Sequence, residues 1–470
     1  MSDIGNILNI GLSGLRAFKT GIEVTAQNIA NVDTPGYSQK EVVLGTKETT
    51  GGPPYFFNGV EVSEVKRVYD EELTRQISAQ TGQTEYWQTK KEYLGRIEDI
   101  FNESDQSGLS SDLDAFWNSW QELSLNPNDY GGRQEVISMT NRLSENLASR
   151  SGDLQEVMSN IREEISTTIE VGNQSLLKIA EINRQISEAI AGQVNDYKDQ
   201  LDKLVEDLSQ QVNINYWQEK NGQITVSLNG HPLVEGNHAI SLASVTDDQG
   251  HTIVQKKLDD GTLIDITDRI STGKLQGLLE LGNETIPGYM DKLDKLAFTL
   301  SEKVNEQHRT GYGLDGSTDI VFFTPANGAP GFTSAQGAAR NLALNPDLED
   351  HPDRIAASST DAIQDNENAL KMVDLQQNPI IEEGGQLLRA NDYYANFEQT
   401  IGRDTQRANT DTDHHKMILN NLKDRRSMIS DVALDEQMVN LIKFQQTYNA
   451  SAKVVSTADQ MMSTLLNISA

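Results

Sequence analysis

Histidines and carboxylates that lie close together in the sequence are the first residues to test for chemistry. The chain has seven histidines, and two of them, His414 and His415, follow Asp411 and Asp413 in a segment with a helical pattern. On a helix, Asp411 and His415 would share one face and could bind a metal ion together. The other interpretation, a polar helix surface, is favoured because two ligands alone make a weak site. We therefore predict no metal centre.

Paired carboxylates are the other candidates, because two acidic groups can serve as general acid and general base. In a chain with 70 acidic residues, such pairs also arise on ordinary solvated surfaces, which is the interpretation we favour. The chain has no cysteine, which excludes disulfides, thiolate nucleophiles and cysteine-bound zinc. We expect no enzyme activity and no cofactor. The carboxylate pairs are Glu163–Glu164, Asp259–Asp260 and Glu382–Glu383.

The overall charge restricts the class of partner. The 470 residues include 39 basic and 70 acidic side chains, for a net charge of −31. Nucleic acid and anionic lipid surfaces would be repelled by such a protein. Membrane insertion is not expected either, because no uncharged apolar run approaches the roughly 20 residues that span a bilayer. The first basic residue is Arg16, so a conventional secretory signal with a basic start is not expected.

The clearest helical patterns stand at the two ends of the chain. Apolar residues recur there at alternating spacings of three and four, which predicts two amphipathic helices that pair as a coiled coil. Because an isolated helix pair is only marginally stable, we expect both ends to order fully when neighbouring subunits cover them. The predicted subunit-contact residues are Ile4, Leu8, Leu15, Phe18, Ile22 and Ile29 near the N-terminus, and Leu434, Met438, Leu441, Tyr448, Ala452, Val455, Met462 and Leu466 near the C-terminus.

Between the ends the pattern changes from helical to β and back. Residues 111–212 are predicted to be mainly helical, with Trp117 and Trp120 in the core. Asn-Gly turn signals predict strands after residue 213. We predict an α+β multi-domain fold. Its parts are a terminal-helix axial domain (1–45 with 430–470), a mainly helical long-helix bundle body (46–212 with 285–310 and 361–429), an inserted outward β domain (213–284) and an irregular or small β insert (311–360).

A tight turn is predicted directly after the first helix. Asn31 is suited to end the helix, and Pro35 and Gly36 suit the centre of a turn between Thr34 and Tyr37. A helix that carries residues 27–31 and is followed by this Thr-Pro-Gly-Tyr turn resembles the N-terminal signature of the flagellar axial family of rod, hook and hook-associated proteins. Residues 434–441, 444–450 and 451–459 resemble the C-terminal signature of the same family.

Three further segments resemble the hook-associated members of the family more than its rod and hook proteins. They are Tyr37 to Gln39 after the turn, the Phe444–Gln445–Gln446 run, and residues 108–113 together with Asn126–Pro127. The resemblance is sharp over residues 1–45, 60–160 and 430–470 and weak elsewhere. It implies a structural subunit of the bacterial flagellum in the layer that joins hook to filament, required for filament assembly on the hook.

The resemblance also implies partners and a location. A ring or helical layer of copies of the chain would contact the hook protein on one side and hook-associated protein 3 on the other. Export through the flagellar type III apparatus is implied, with a cytoplasmic chaperone on the C-terminal helix before export and the extracellular flagellum as the final location. The alternatives are a hook or rod protein, a secreted enzyme with flagellin-like termini and its chemistry in residues 213–360, and a coiled-coil adaptor inside the cell.

Overall fold

The computed structural model of the chain describes residues 2–34, 36–47, 59–102, 108–189, 194–329, 331–362 and 364–469. In these ranges no helix is both long and apolar enough to cross a membrane. The long helices are α1 (Ser2–Ala30), α2 (Glu71–Phe101), α3 (Leu109–Leu125), α4 (Tyr130–Glu188), α5 (Val194–Gln211), α6 (Gly273–Glu280), α7 (Ile286–His308), α10 (Glu367–Gln377), α11 (Ala390–Ser430) and α12 (Leu434–Ser469). Two short ones, α8 (Ala338–Asn341) and α9 (Pro346–Asp350), lie between α7 and α10.

The strands form small antiparallel sheets. Near the N-terminus, β1 (Lys40–Thr46) and β2 (Val60–Arg67) pair as a ribbon. The middle of the chain holds a four-stranded sheet of β3 (Asn215–Gln218), β4 (Ile224–Leu228), β5 (His231–Glu235) and β6 (His238–Ala239), and a three-stranded sheet of β7 (Ser241–Thr246), β8 (Thr252–Lys257) and β9 (Leu263–Asp265). Two further pairs are β10 (Phe323–Pro325) with β11 (Leu342–Leu344), and β12 (Ile381–Glu383) with β13 (Gln386–Leu388).

This arrangement confirms the predicted α+β class, with long helices at both ends of the chain and strands after residue 213. One segment differs from its predicted element. Residues 273–284, which the prediction included in the β domain, are helical: α6 continues through a π-helical turn, Leu281–Thr285, into α7. Leu275, Leu278 and Leu279 are buried at helical spacing there, and the helix packs against α2. The predicted domain boundaries stay a prediction.

Helix-borne asparagines attach the strands to the helices. Asn183 of α4 accepts a hydrogen bond from the Ile224 amide (2.9 Å) and donates to the Ile224 carbonyl oxygen (2.7 Å). An asparagine side chain thereby takes the place of a neighbouring strand, because it offers one donor and one acceptor side by side. The same two-bond pairing joins Asn173 to Leu242, Asn283 to Thr252, and Asn305 to Phe323.

The core of the body contains an aromatic cluster around α3. Trp117 and Trp120 are almost fully buried, which confirms their predicted core position. The Trp120 ring lies 5.5 Å from the ring of Phe322, whose centroid in turn is 5.2 Å from the ring of His308. His308 is fully buried in this cluster at the end of α7. A titratable side chain thus lies at the centre of an apolar core.

Small residues form the contact between α1 and α12. Gly11, Gly14 and Gly21 are buried on the face of α1 that meets α12. An added Cβ at Gly21 would lie 2.8 Å from ring carbons of Phe444, and one at Gly14 would lie 2.7 Å from Ser451 Oγ. The two helix backbones therefore approach each other more closely than side chains larger than glycine would allow. We call this contact face the glycine seam.

Replacing Gly21 by alanine should weaken the helix pair. We expect Gly21→Ala to destabilise the pairing by about 1–3 kcal/mol through overpacking against Phe444, measured as faster amide exchange in α1. Gly5→Ala is the matched control, because a Cβ there would meet no atom within 4 Å. It should leave exchange unchanged or slow it, since alanine favours a helix over glycine. Equal exchange in the two variants would contradict a close seam.

The buried His308 should make stability depend on pH. The Ala356 amide donates to His308 Nε2 at 2.9 Å, so Nδ1 carries the proton and donates to the Ile320 carbonyl oxygen at 2.7 Å. Burial lowers the pKa of His308 from 6.5 to about 4, and the positive charge of Arg133 adds to the effect. The unfolded chain therefore gains a proton at higher pH than the folded protein does. The resulting stabilisation is lost as the pH falls from above 6.5 towards 4.

Denaturant unfolding at pH 8 and pH 5 measures this effect. Between pH 8 and pH 5, we expect the free energy of unfolding of the native protein to fall by about 2 kcal/mol more than that of His308→Gln. Glutamine keeps a polar group at the site but does not titrate. His351→Gln, a substitution of an exposed histidine, is the control. Its free energy of unfolding should fall by as much as that of the native protein. The same loss in the native protein and in His308→Gln would show that His308 is not the titrating group.

Candidate assembly site on the terminal helices

The predicted turn follows α1. The Asn31 amide donates to the Gln27 carbonyl oxygen at 3.1 Å as the helix ends, and the Tyr37 amide donates to the Thr34 carbonyl oxygen at 3.2 Å. Gly36 has a φ of +84°, a conformation that glycine adopts without strain. Pro35 lies outside the described residues. The helix end at Asn31 and the tight turn between Thr34 and Tyr37 are therefore as predicted.

One buried asparagine joins the turn, the ribbon and both terminal helices. Asn28 Nδ2 donates to the Lys40 carbonyl oxygen (2.8 Å) and to Gln437 Oε1 of α12 (2.9 Å). Its Oδ1 accepts from the Tyr37 hydroxyl (2.9 Å) and from the Lys40 amide (3.0 Å). Both donors and both lone pairs of the amide are thus used. Asn28 therefore fixes the relative positions of α1, the turn, β1 and α12.

Buried ion pairs connect the ribbon to α5. Lys40 Nζ contacts Asp196, and Arg67 Nη1 lies 2.7 Å from Asp199 Oδ1 and 2.8 Å from Asp202 Oδ2. Burial raises the pKa of both Asp199 and Asp202, and the guanidinium of Arg67 opposes that rise. Both cationic side chains are less than a tenth exposed. Removing Arg67 would leave the carboxylates of Asp199 and Asp202 in a poorly solvated place, which is costly.

The predicted contact residues are covered to different degrees, and Val455 lies in the glycine seam itself, where a Cβ at Gly11 would come within 2.7 Å of it. All six N-terminal ones are half-buried: Ile4, Leu8, Leu15, Phe18, Ile22 and Ile29. Near the C-terminus five are half-buried, namely Leu441, Tyr448, Ala452, Val455 and Met462, whereas Leu434, Met438 and Leu466 are 47%, 52% and 58% exposed. The seam itself was missed by sequence reasoning, which followed large apolar residues. Glycines at positions 11, 14 and 21, with Ala17 between them, were the available signal.

The two helices consequently present large apolar side chains to solvent. Besides Leu434, Met438 and Leu466, these side chains are Ile7, Ile10, Leu12, Val439, Ile442, Val454, Met461 and Leu465, each at least 39% exposed. Scattered exposed apolar residues are normal on a protein surface, but a concentration of them on two paired helices is typical of an interaction site. The terminal helices therefore have the character of an assembly surface.

The residues first considered for chemistry have other contacts. His415 Nδ1 lies 2.7 Å from Gln80 Nε2, and Asp411 is 3.5 Å from Arg407 Nε. Burial lowers the pKa of His415, with a further contribution from His414. Among the described residues, no group of three or more histidines and carboxylates is arranged to hold a metal ion. In the carboxylate pairs, Glu164 contacts Lys274, Asp259 Oδ2 lies 3.3 Å from His238 Nε2, and Glu383 contacts Lys292.

Family models match three parts of the chain. Residues 94–323 match the flagellar hook-associated protein FlgK helical domain. Residues 8–37, which include most of α1 and the turn, match the flagella basal body rod protein family, and residues 428–468 match the flagellar basal body rod FlgEFG protein C-terminal family. The two rod-family matches thus fall on the two terminal helices, and the hook-associated match falls on the helices and sheets between them.

Comparisons over the full length agree with these matches. The chain is 30% identical to flagellar hook-associated protein 1 of Bacillus subtilis over 96% of both chains, and 25% identical to that of Escherichia coli over 99% of this chain and 100% of the relative. The fold is similar to that of the flagellar hook junction protein FlgK from Burkholderia pseudomallei, with a TM-score of 0.66 over 75% of this chain and 99% of that one, at 15% identity. The chain therefore belongs to the flagellar hook-associated protein 1 family and is a structural protein of the hook–filament junction.

Proposed function

We propose that copies of this chain form a closed layer between hook and filament, held together by the outer faces of α1 and α12. The observation that carries the proposal is the division of the terminal helices into two kinds of surface. Glycines face inward along the seam, and large apolar residues face outward. Within a single chain the outward residues stay in contact with water, whereas in a ring or helical layer neighbouring helices would bury them.

The partners that we propose are those implied by the family resemblance. A layer between two different structures contacts the hook protein on one side and hook-associated protein 3 on the other, through the same apolar faces that join its own copies. Before export, a cytoplasmic chaperone would shield α12, which carries more of the exposed apolar residues than α1 does. Export through the flagellar type III apparatus would then deliver the chain to the extracellular end of the hook. The role is mechanical, without catalysis or a cofactor.

The domain organisation supports such a layer. The predicted axial domain of residues 1–45 and 430–470, which carries little charge, would form the axial core, and the body and the β domain at residues 213–284 would face outward. Most of the net charge of −31 lies in that outer part, where solvent stabilises it. The expectation that neighbours increase the order of both terminal helices stays a prediction.

A charge on the outer face of α12 should block assembly without unfolding the chain. Met438 is 52% exposed, so we expect Met438→Asp to change the free energy of unfolding by no more than about 0.5 kcal/mol. The same substitution should stop incorporation into the junction, because a carboxylate would be buried against a neighbouring helix. Purified protein tests stability, and electron microscopy of flagella tests incorporation.

Met438→Leu is the matched control at the same position. Leucine keeps an apolar side chain of similar size and adds no charge, so the contact with a neighbouring helix stays apolar. We expect full incorporation of this variant. Normal filaments in a strain that carries Met438→Asp would refute the proposed contact face.

Deletion of the gene tests the junction role itself. We expect the deletion strain to build hooks but no filaments, with filament monomers released into the medium and detected by immunoblotting. Expression of the native chain in the same strain should restore filaments. Full filaments in the deletion strain would contradict the proposed function.

A further inference from the structure

The terminal unit, defined as α1, the β1–β2 ribbon and α12, is connected to the body by few contacts. Within the described residues, α1 packs against α12 and the ribbon, but no element of this unit packs closely against an element of the body. The contacts across the boundary include the ion pairs of Lys40 and Arg67 with α5 and the hydrogen bond from Asn195 Nδ2 to the Val65 carbonyl oxygen at 2.7 Å.

Two short connections link the terminal unit to the body. Residues 68–70 lead from β2 into α2, and residues 431–433 lead from α11 into α12, neither with regular secondary structure. The backbone of Gln39 bridges them: its amide donates to the Ser430 carbonyl oxygen at 2.8 Å, and its carbonyl oxygen accepts from the Val68 amide at 2.8 Å. Both connections therefore meet at one point, where a change in a few backbone angles could reorient the whole unit.

Space for such a movement exists on both sides of the turn. Two open pockets lie beside the contact of the turn with α5: one of about 760 Å³ is also lined by α4 and α5, and one of about 340 Å³ by α5 and the end of α11. Thr34, Gly36, Tyr37 and Lys203 line both cavities. A tightly packed interface would resist displacement of the turn, whereas these cavities leave room for it in either direction.

We propose that the terminal unit tilts relative to the body as a rigid piece, about a pivot at Gln39. The turn moves into one cavity as it leaves the other. Asn28 keeps the turn attached to α1 and α12 through its four hydrogen bonds, so the turn moves with the terminal unit. The ion pair of Lys40 with Asp196 restrains the movement from the body side. The inference does not depend on the junction role, since it concerns the single chain.

An engineered disulfide tests the pivot. A Cβ at Gly36 would lie 3.9 Å from Lys203 Cβ, within the distance that a disulfide spans. Because a cysteine at a φ of +84° is strained, the reduced variant must first show the same distance distribution as the native chain. The chain has no other cysteine, so Gly36→Cys with Lys203→Cys can form only this intramolecular bond. Time-resolved energy transfer reports the movement in the purified full-length chain. Its dyes are attached through azide-bearing amino acids at exposed Glu64 of the ribbon and exposed Leu177 of α4.

We expect a broad distance distribution between the dyes in the reduced protein and a distribution narrower by about twofold after oxidation, because the disulfide holds the turn against α5. A second dye pair, at Glu64 and Lys19 within the terminal unit, should be narrow in both states. The pivot would be overturned if the distance distribution between Glu64 and Leu177 were as narrow before oxidation as after it. A broad distribution between Glu64 and Lys19 would overturn it as well, since the unit would not be rigid.

A second variant tests the pivot without a disulfide. Lys40→Met removes the ion pair with Asp196 but keeps the backbone bonds to Asn28, so it should broaden the distribution between Glu64 and Leu177 beyond that of the native chain. Lys66→Met is the matched control, because Lys66 is a half-exposed ribbon lysine that pairs within the ribbon, with Glu41. Equal distributions in these two variants would contradict a restraint by Lys40. Failure of the junction role would appear separately, as full filaments in the deletion strain.

Discussion

Backbone groups of a strand that face a helix need hydrogen-bond partners, and this requirement fixes how several strands of the chain attach to its helices. Helix-borne asparagines meet it, each with a donor and an acceptor for one strand residue. An unpaired buried amide or carbonyl would cost free energy comparable to that of a lost hydrogen bond. Asn28 applies the same device to Lys40 and adds bonds to Tyr37 and Gln437. The terminal unit is therefore built around one fully satisfied amide.

The terminal unit and the body differ in how they pack their apolar side chains. The body buries aromatic rings such as Trp117 and Trp120 in a continuous core within the single chain. The terminal helices use glycines for their mutual contact and leave large apolar residues such as Met438 in contact with solvent. These apolar side chains are unfavourably exposed to water in an isolated molecule, whereas neighbouring copies would bury them in an assembly.

Sequence reasoning predicted the elements well where the signal is local. The end of α1 at Asn31 and the turn closed by Tyr37 follow from residue types that favour those conformations. It failed at residues 273–284, where an adjacent β pattern was extended over leucines that are buried at helical spacing. It also missed the glycine seam, because a hydrophobic pattern ranks residues by size and polarity. The seam depends on how closely two backbones approach, which only the packed helices define.

The amino-acid sequence by itself determined the helical character of both ends, the turn after α1 and the α+β class, because periodicity and turn chemistry act over a few neighbouring residues. The tertiary structure decided which face of α1 meets α12 and which residues stay outside. It alone revealed the pairing of Arg67 with Asp199, 132 residues away, and the two cavities around the turn. Such contacts join distant parts of the chain, so their geometry depends on the whole fold and not on any segment's own pattern.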